Sequence, residues 1–195
     1  MLQIYSDKID IEFNGIFIPD ICLTAFGPAK TTLNLGTLSN GTYDVEIDVE
    51  QKKSFGQLIV TPEYYKIDLY KQAQLQITYS TLNRVPTNTI WGMVGYHTSS
   101  AETLVQALID SLQLLGATAK TYQPGEYGYF QISSSGQILP PQNHGYHLIR
   151  SYIYNYTANT EALKTLVKYY GQHYGDSLNI ILYTANGEIF MSWIQ

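Results

Sequence analysis

The residues of this sequence that could do chemistry fall into a few groups. The tripeptide Gly-Tyr-His occurs twice, ending at His97 and at His147, and His144 lies three residues before the second copy. Three imidazoles are a zinc-type ligand set. The surrounding sequence argues against that use. Gly145 and Pro140-Pro141 make a loop around His144, so the spacing is not helical. His97 closes a strand-like run, while His147 opens the corresponding run. If those runs are parallel neighbours, the two histidines stand at opposite sheet ends, about 20 Å apart. The expectation is loop and strand-end histidines, no metal and no cofactor.

Glutamates form the second group. "TSSAETL" at 98–104 and "TANTEAL" at 157–163 repeat Thr, Glu and Leu 59 positions apart. Glu102 and Glu161 could serve as a general acid and base. They also fit the first turn of a helix, where the backbone dipole favours a carboxylate, with Ser100 and Asn159 as N-caps. The second account needs no further residues and is preferred. A third group, "DVEIDVE", puts Asp44, Glu46, Asp48 and Glu50 on one strand face and Val45, Ile47 and Val49 on the other. A flat strand supplies few of the six to eight oxygens calcium requires, so a solvated face paired with Lys52, Lys53, Lys66 or Lys71 is expected. Ser133, Ser134, Ser135 and His144 share a connecting stretch, 133–146. It has no Gly-x-Ser-x-Gly elbow and no acid to orient a histidine. Phosphate-loop and dinucleotide fingerprints are absent as well. No catalytic residue is assigned, and the reading leans away from an enzyme.

Tyrosine remains, with 18 copies. Tyr127 and Tyr129 alternate along one predicted strand, and Tyr146, Tyr152, Tyr154 and Tyr156 share a parity on another. On a sheet face left open by helices such rings would line an aromatic platform or cleft. The candidate ligand-binding residues are therefore Tyr127, Tyr129, Tyr152, Tyr154, His144 and His147.

The elements that must position these groups differ between the two halves. Residues 1–80 read as all-β. Short alternating runs such as "IDIEF", "TTLNLG", "TYDVEIDVE", "GQLIVT", "YYKIDLY" and "LQITYS" are punctuated by turn residues, the spacing of a small sandwich. "GIFIPDICLTAF" reads as another strand, and Cys22, the sole cysteine, as a buried apolar thiol. Turn formers and Pro86 mark residues 81–89 as a linker. Residues 90–195 read as two βαββ units. Each has an apolar strand, an amphipathic helix (Leu104, Leu108, Leu112 and Leu115 on one face, then Leu163, Leu166, Val167, Tyr170 and Tyr174) and a hairpin, with Gly116 and Gly175 ending the helices. Asn186-Gly187 signals the second hairpin turn. The predicted fold is an all-β, immunoglobulin-like sandwich followed by an α+β domain of two βαββ repeats. In that domain the repeats pair edge to edge in one sheet, with both helices on one face.

Composition narrows the function. The chain of 195 residues is 45% hydrophobic but only 14% charged, well below the roughly 25% of average proteins. Its net charge is −5, and Arg84 and Arg150 are the only arginines, so a basic footprint for nucleic acid is missing. No stretch approaches the about 20 apolar residues of a membrane span. The opening residues are not a signal peptide, and the expectation is an extracytoplasmic protein, periplasmic or at the cell surface, whose signal sequence is absent here.

Two short stretches resemble known families. "TLNLGTLSNGTYDVEI" resembles the strand–turn–strand corner of immunoglobulin-like modules of bacterial surface proteins. "YQPGEYGYFQISSSG" is similar to the Pro-Ala-Gly-x-Tyr-Ala-x-Phe strand of GyrI-like effector-binding domains, through Pro124, Gly125, Tyr127 and Phe130. Those domains are tandem βαββ modules that bind small, often apolar molecules between the units, so this resemblance implies a cleft containing Tyr127 or Tyr129. The acidic ligand-binding residue of that family has no counterpart assigned here. The leading expectation is a non-enzymatic binding or assembly module presenting Tyr-rich surface to a protein or glycan. The alternative is a sensor-like domain holding a small apolar ligand in an aromatic cleft between the βαββ units.

Overall fold

The computed structural model describes residues 1–15, 30–140 and 145–194. It is β-rich, with two α-helices and several sheets, and divides into two compact units, Met1–Arg84 and Val85–Gln195. The division falls inside the predicted linker 81–89. The predicted strand around Cys22 lies outside the described residues, as does His144.

The first unit contains β1 (Leu2–Ile4), β2 (Lys8–Phe13), β3 (Gly41–Val49), β4 (Lys52–Val60), β5 (Tyr64–Lys71) and β6 (Thr81–Asn83). They form one six-stranded sheet in chain order, in which only β2 and β3 run parallel. The sequence reading expects two facing sheets; among the described residues this unit has a single sheet. Strands spaced by short turns serve a sandwich and a meander equally well, and nothing local assigns a strand to one sheet or another. Residues 31–36 and 75–80, predicted as strands, have no strand structure, whereas Thr81–Asn83 in the predicted linker pairs with β5.

Alternation decides the faces of this sheet. Tyr43, Val45 and Ile47 are buried with Ile9 and Val60, and Leu35 and Leu38 pack against them. Asp44, Glu46 and Asp48 take the other face. The parallel neighbour sets Asp10 beside Glu46 and Glu12 beside Asp48, which concentrates acid. Two lysines offset it. Lys53 Nζ lies 2.6 Å from Glu46, and Lys8 Nζ lies 3.1 Å from Glu46 and 2.8 Å from Asp10. The hydrogen bond from Lys53, then that from Lys8, holds the Glu46 carboxyl below its ordinary range. Of the lysines predicted to pair with this row, Lys53 does so; Lys8 comes from a strand whose pairing the sequence does not reveal.

The second unit contains β7 (Thr89–Tyr96), a 3₁₀ turn (Ser99–Ala101), α1 (Glu102–Leu114), β8 (Gly125–Glu126), β9 (Gln131–Ile132), β10 (Ile138–Leu139), β11 (Leu148–Asn155), α2 (Thr160–Tyr174), β12 (Leu178–Thr184) and β13 (Ile189–Met191). A four-stranded sheet has the order β11-β7-β12-β13, all antiparallel, and β10-β9-β8 make a separate small sheet. Even-numbered residues of β7 and β12 (Ile90, Val94, Tyr96, Leu178, Ile180 and Leu182) share one buried cluster with Val105, Leu108 and Leu112 of α1 and Leu163, Val167 and Tyr170 of α2. Both helices therefore pack on one face. Tyr152 of β11 joins this cluster by lying across Gly92, where even a Cβ would stand 2.6 Å from the Tyr152 hydroxyl. No helix among the described residues is long and apolar enough to cross a membrane.

Two expectations are corrected here. First, β7 and β11 are antiparallel neighbours, not parallel ones, with Tyr96 opposite Leu148 and Thr89 opposite Asn155. Helix α1 returns the chain to the Thr89 end, where Thr118 bridges Asn155. Three short strands follow instead of the two of a hairpin. The chain then enters β11 at the Tyr96 end, where Leu148 pairs Tyr96, so β11 runs back alongside β7. Second, Ser100 does not cap α1. It lies within the 3₁₀ turn, and α1 begins after Ala101 with no side-chain cap. Asn159 does cap α2, its side chain accepting from the Glu161 amide at 2.9 Å.

Candidate functional site

The antiparallel register brings the two Gly-Tyr-His copies to the same end of the four-stranded sheet. Continued one step past the Tyr96–Leu148 pair, it sets His97 opposite His147. Their ring centres are 5.6 Å apart with planes at 72°, and both residues are exposed. The predicted separation of about 20 Å is thus overturned, because it assumed parallel strands. Tyr146 does not share a face with Tyr152 and Tyr154. It precedes β11 and packs on Gly95, whose missing Cβ would stand 2.5 Å from the Tyr146 ring, and its own ring centre is 5.7 Å from that of His97. Among the described residues no group of three or more His, Cys, Asp or Glu side chains comes together as a metal cluster.

On the helix side of the same end, the Tyr96 hydroxyl donates to Glu102 Oε2, and Arg150 Nη1 lies 3.3 Å from Glu102 Oε1. This contact joins β7, α1 and β11. The hydrogen bond to Glu102 raises the Tyr96 phenol above its ordinary range. Glu102 is therefore held by a strand tyrosine and an arginine, besides sitting in the first helical turn. Glu161, its counterpart, faces Lys164, at 3.7 Å one turn along α2, as its ion-pair partner among the described residues. The two glutamates start different helices and have different partners; nothing pairs them as acid and base.

Aromatic side chains gather on the sheet face opposite the helices. Trp91 is buried. Its ring stacks on Tyr183 at 5.6 Å with planes 12° apart, and meets Phe130 at 5.3 Å and Tyr129 at 5.8 Å. The small sheet covers the neighbouring part of this face, where Tyr122, Tyr127 and Ile132 are buried with Phe130, Ile138 and Ile153 packed against them. Tyr127 and Tyr129 do not alternate on a strand. They lie in the turn between β8 and β9, where the Tyr127 amide donates to the Phe130 carbonyl at 2.9 Å. Gly128 takes φ +78°, a conformation L side chains rarely adopt, and the chain reverses there. Tyr127 is turned inward, stacked on Phe130 at 4.8 Å with its hydroxyl donating to the Gln123 carbonyl at 3.0 Å. Tyr129 is turned outward and is 77% exposed.

The remaining expected site residues are placed as follows. Tyr152 is buried under the helices, its hydroxyl donating to the Ile181 carbonyl at 3.2 Å, and burial drives its phenol far above the ordinary range. Tyr154 is half-buried, its ring 6.4 Å from that of Tyr152. Neither Tyr127 nor Tyr152 offers ring surface to a ligand. The space between the helices and the sheet, where a cleft between the repeats would open, is filled by Leu108, Leu112, Leu163 and Val167, each at most 1% exposed. The serines of the 133–146 stretch serve a turn: Ser133 Oγ accepts from the Gln137 amide at 3.1 Å and bonds Ser135 Oγ at 2.8 Å. The hairpin carrying Glu126 docks over Trp91, about 20 Å along β7 from His97, so these two potential acid–base groups do not converge. Sequence reasoning missed Trp91 and Tyr183. Their odd positions on β7 and β12, opposite in parity to the helix-facing residues, carried that information. Comparison with protein-family models, curated proteins and solved structures finds no match to this chain.

Proposed function

We propose that this chain is a non-enzymatic binding or assembly module of extracytoplasmic surroundings, and that its second unit engages a glycan or protein partner through the aromatic patch around Tyr129. The observation that carries the reading is Tyr129 itself. Its ring is 77% exposed, yet it stands against Trp91 at the tip of a glycine-formed turn. Such a ring is positioned before a partner arrives, so little rotamer freedom remains to be lost on binding. Tyr183, half-buried and stacked on the same Trp91, widens the patch. Aromatic faces next to hydroxyl groups suit the alternating C–H and O–H surface of sugars as well as apolar protein surface. Low overall charge agrees with recognition that does not depend on electrostatics.

The same reading treats the second unit as a duplicated β-α-β-β plan. The first hairpin has left the main sheet, and that departure creates the Tyr129 turn. Support comes from the repeated Thr–Glu–Leu spacing and from the equivalent order of β7-α1 and β11-α2.

A glycan array and a panel of purified surface proteins, each read with wild type and Tyr129→Ala, test the proposal. The expected result is binding by wild type and at least a ~10-fold loss in the variant, the scale of an exposed aromatic hot spot. Stability should stay within about 0.5 kcal/mol, because the ring is exposed. No ligand on either panel, or a ligand that binds wild type and variant equally, rejects the reading.

A further inference from the structure

We propose that His97 and His147 form a two-imidazole site for a late divalent transition ion, zinc, nickel or copper, across β7 and β11. The site is separate from the aromatic patch. Its ligands sit one residue past the Tyr96–Leu148 pair, at the adjoining ends of the two strands, and the cross-strand register brings their rings side by side. A metal–nitrogen bond of about 2.1 Å places each ring centre about 3.2 Å from the ion, so two imidazoles at a tetrahedral angle have centres about 5.2 Å apart. The observed 5.6 Å is within side-chain adjustment of that value, and a 72° angle between the planes keeps the rings from competing for one volume.

The side chains are available for this use. No hydrogen bond or ion pair engages either ring among the described residues, whereas Nδ1 of His173 is engaged by the Tyr169 carbonyl at 2.9 Å. Both residues are exposed, so an ion can reach them from solvent. The backbone beneath them is fixed by eight consecutive pairs between β7 and β11. Tyr146, seated on Gly95, braces the entry to β11 and flanks the His97 ring. Ligands anchored directly at the ends of adjacent, paired strands keep their spacing with little ordering cost at the moment of binding. Borderline imidazole donors select zinc, copper and nickel over calcium and magnesium. Since no third His, Cys, Asp or Glu completes a cluster among the described residues, the remaining coordination positions fall to water or to a donor supplied by a partner.

The test is a titration of the full, tag-free chain with Zn²⁺, Ni²⁺ and Cu²⁺ by calorimetry, with histidine ring protons followed by NMR. The expected result is one equivalent taken up. Ni²⁺ or Cu²⁺ should broaden the His97 and His147 signals first, while His173 responds last. His97→Ala and His147→Ala should each weaken uptake by at least about 10-fold, since even outer partners of metal ligands carry that much. His173→Ala should leave it unchanged. Absence of stoichiometric uptake, early broadening at other residues, or uptake that survives His97→Ala/His147→Ala overturns the proposal. The NMR readout on wild type decides the matter even if a variant misfolds.

Discussion

Gly92 offers the sharpest test of how the second unit is packed. A Cβ at this position would stand 2.1 Å from the Ile181 carbonyl oxygen and 2.6 Å from the Tyr152 hydroxyl, and that hydroxyl itself donates to the same carbonyl. Gly92→Ala must therefore push apart β7 and β12 or lift the Tyr152 ring, and in either case it strains a buried hydrogen bond. Overpacking a core costs about 1–3 kcal/mol and a lost hydrogen bond about 1 kcal/mol, which puts the expected destabilisation at about 2–4 kcal/mol. For a unit of this size that corresponds to a fall in melting temperature on the order of 10 °C. Both tryptophans, Trp91 and Trp193, belong to the second unit, so denaturant unfolding read by tryptophan fluorescence isolates its stability. Tyr152→Phe alone should cost about 1 kcal/mol. Combined with Gly92→Ala it should cost less than the sum by at least about 0.5 kcal/mol, because removing the hydroxyl relieves one of the two clashes. A Gly92→Ala protein within about 0.5 kcal/mol of wild type, or strict additivity in the pair, would refute this account of Tyr152 as a core residue seated on a glycine.

Two further outcomes follow from the same geometry. Asn159→Ala should destabilise the second unit by about 1 kcal/mol, whereas Ser100→Ala should be close to neutral because Ser100 caps nothing, and urea unfolding of the two variants separates the cases. On the alkaline side, the tyrosines should leave stability level from neutral pH up to about pH 10 and lower it above that. Burial raises the phenols of Tyr152, Tyr122, Tyr127 and Tyr156, and hydrogen bonding to Glu102 raises that of Tyr96. A phenol raised above its unfolded value contributes stability that is complete below that value and disappears as pH climbs through the folded one. Tyrosinate absorbance followed with circular dichroism should show these rings ionising only as the fold is lost. Full ionisation of all 18 tyrosines with the native spectrum intact would contradict it.

The legible part of the site was its vocabulary. The repeated Gly-Tyr-His, the alternating tyrosines and the paired Thr–Glu helix starts could all be read from the chain, and Asn159 behaves as its residue type requires. What the copies share proved less informative than what their surroundings do to them. Ser100 and Asn159 occupy equivalent positions, yet one lies in a 3₁₀ turn and the other caps a helix. Tyr127 and Tyr129 have a strand's alternation, but Gly128 turns one inward and the other out. A single left-handed glycine is a weak signal in sequence and a decisive one in space.

Local composition and periodicity determined which residues of each strand share a face, where the helices form, and which catalytic and phosphate-binding motifs are missing. Tertiary structure alone decided the direction in which β11 lies against β7, and with it whether His97 and His147 stand apart or together. The physical reason is that a period of two fixes a side chain relative to its own strand and is silent about the neighbour. Pairing direction depends on the end of the sheet at which the intervening chain enters β11, and that chain forms only the two-residue strands β8, β9 and β10, too brief to announce its path in the sequence.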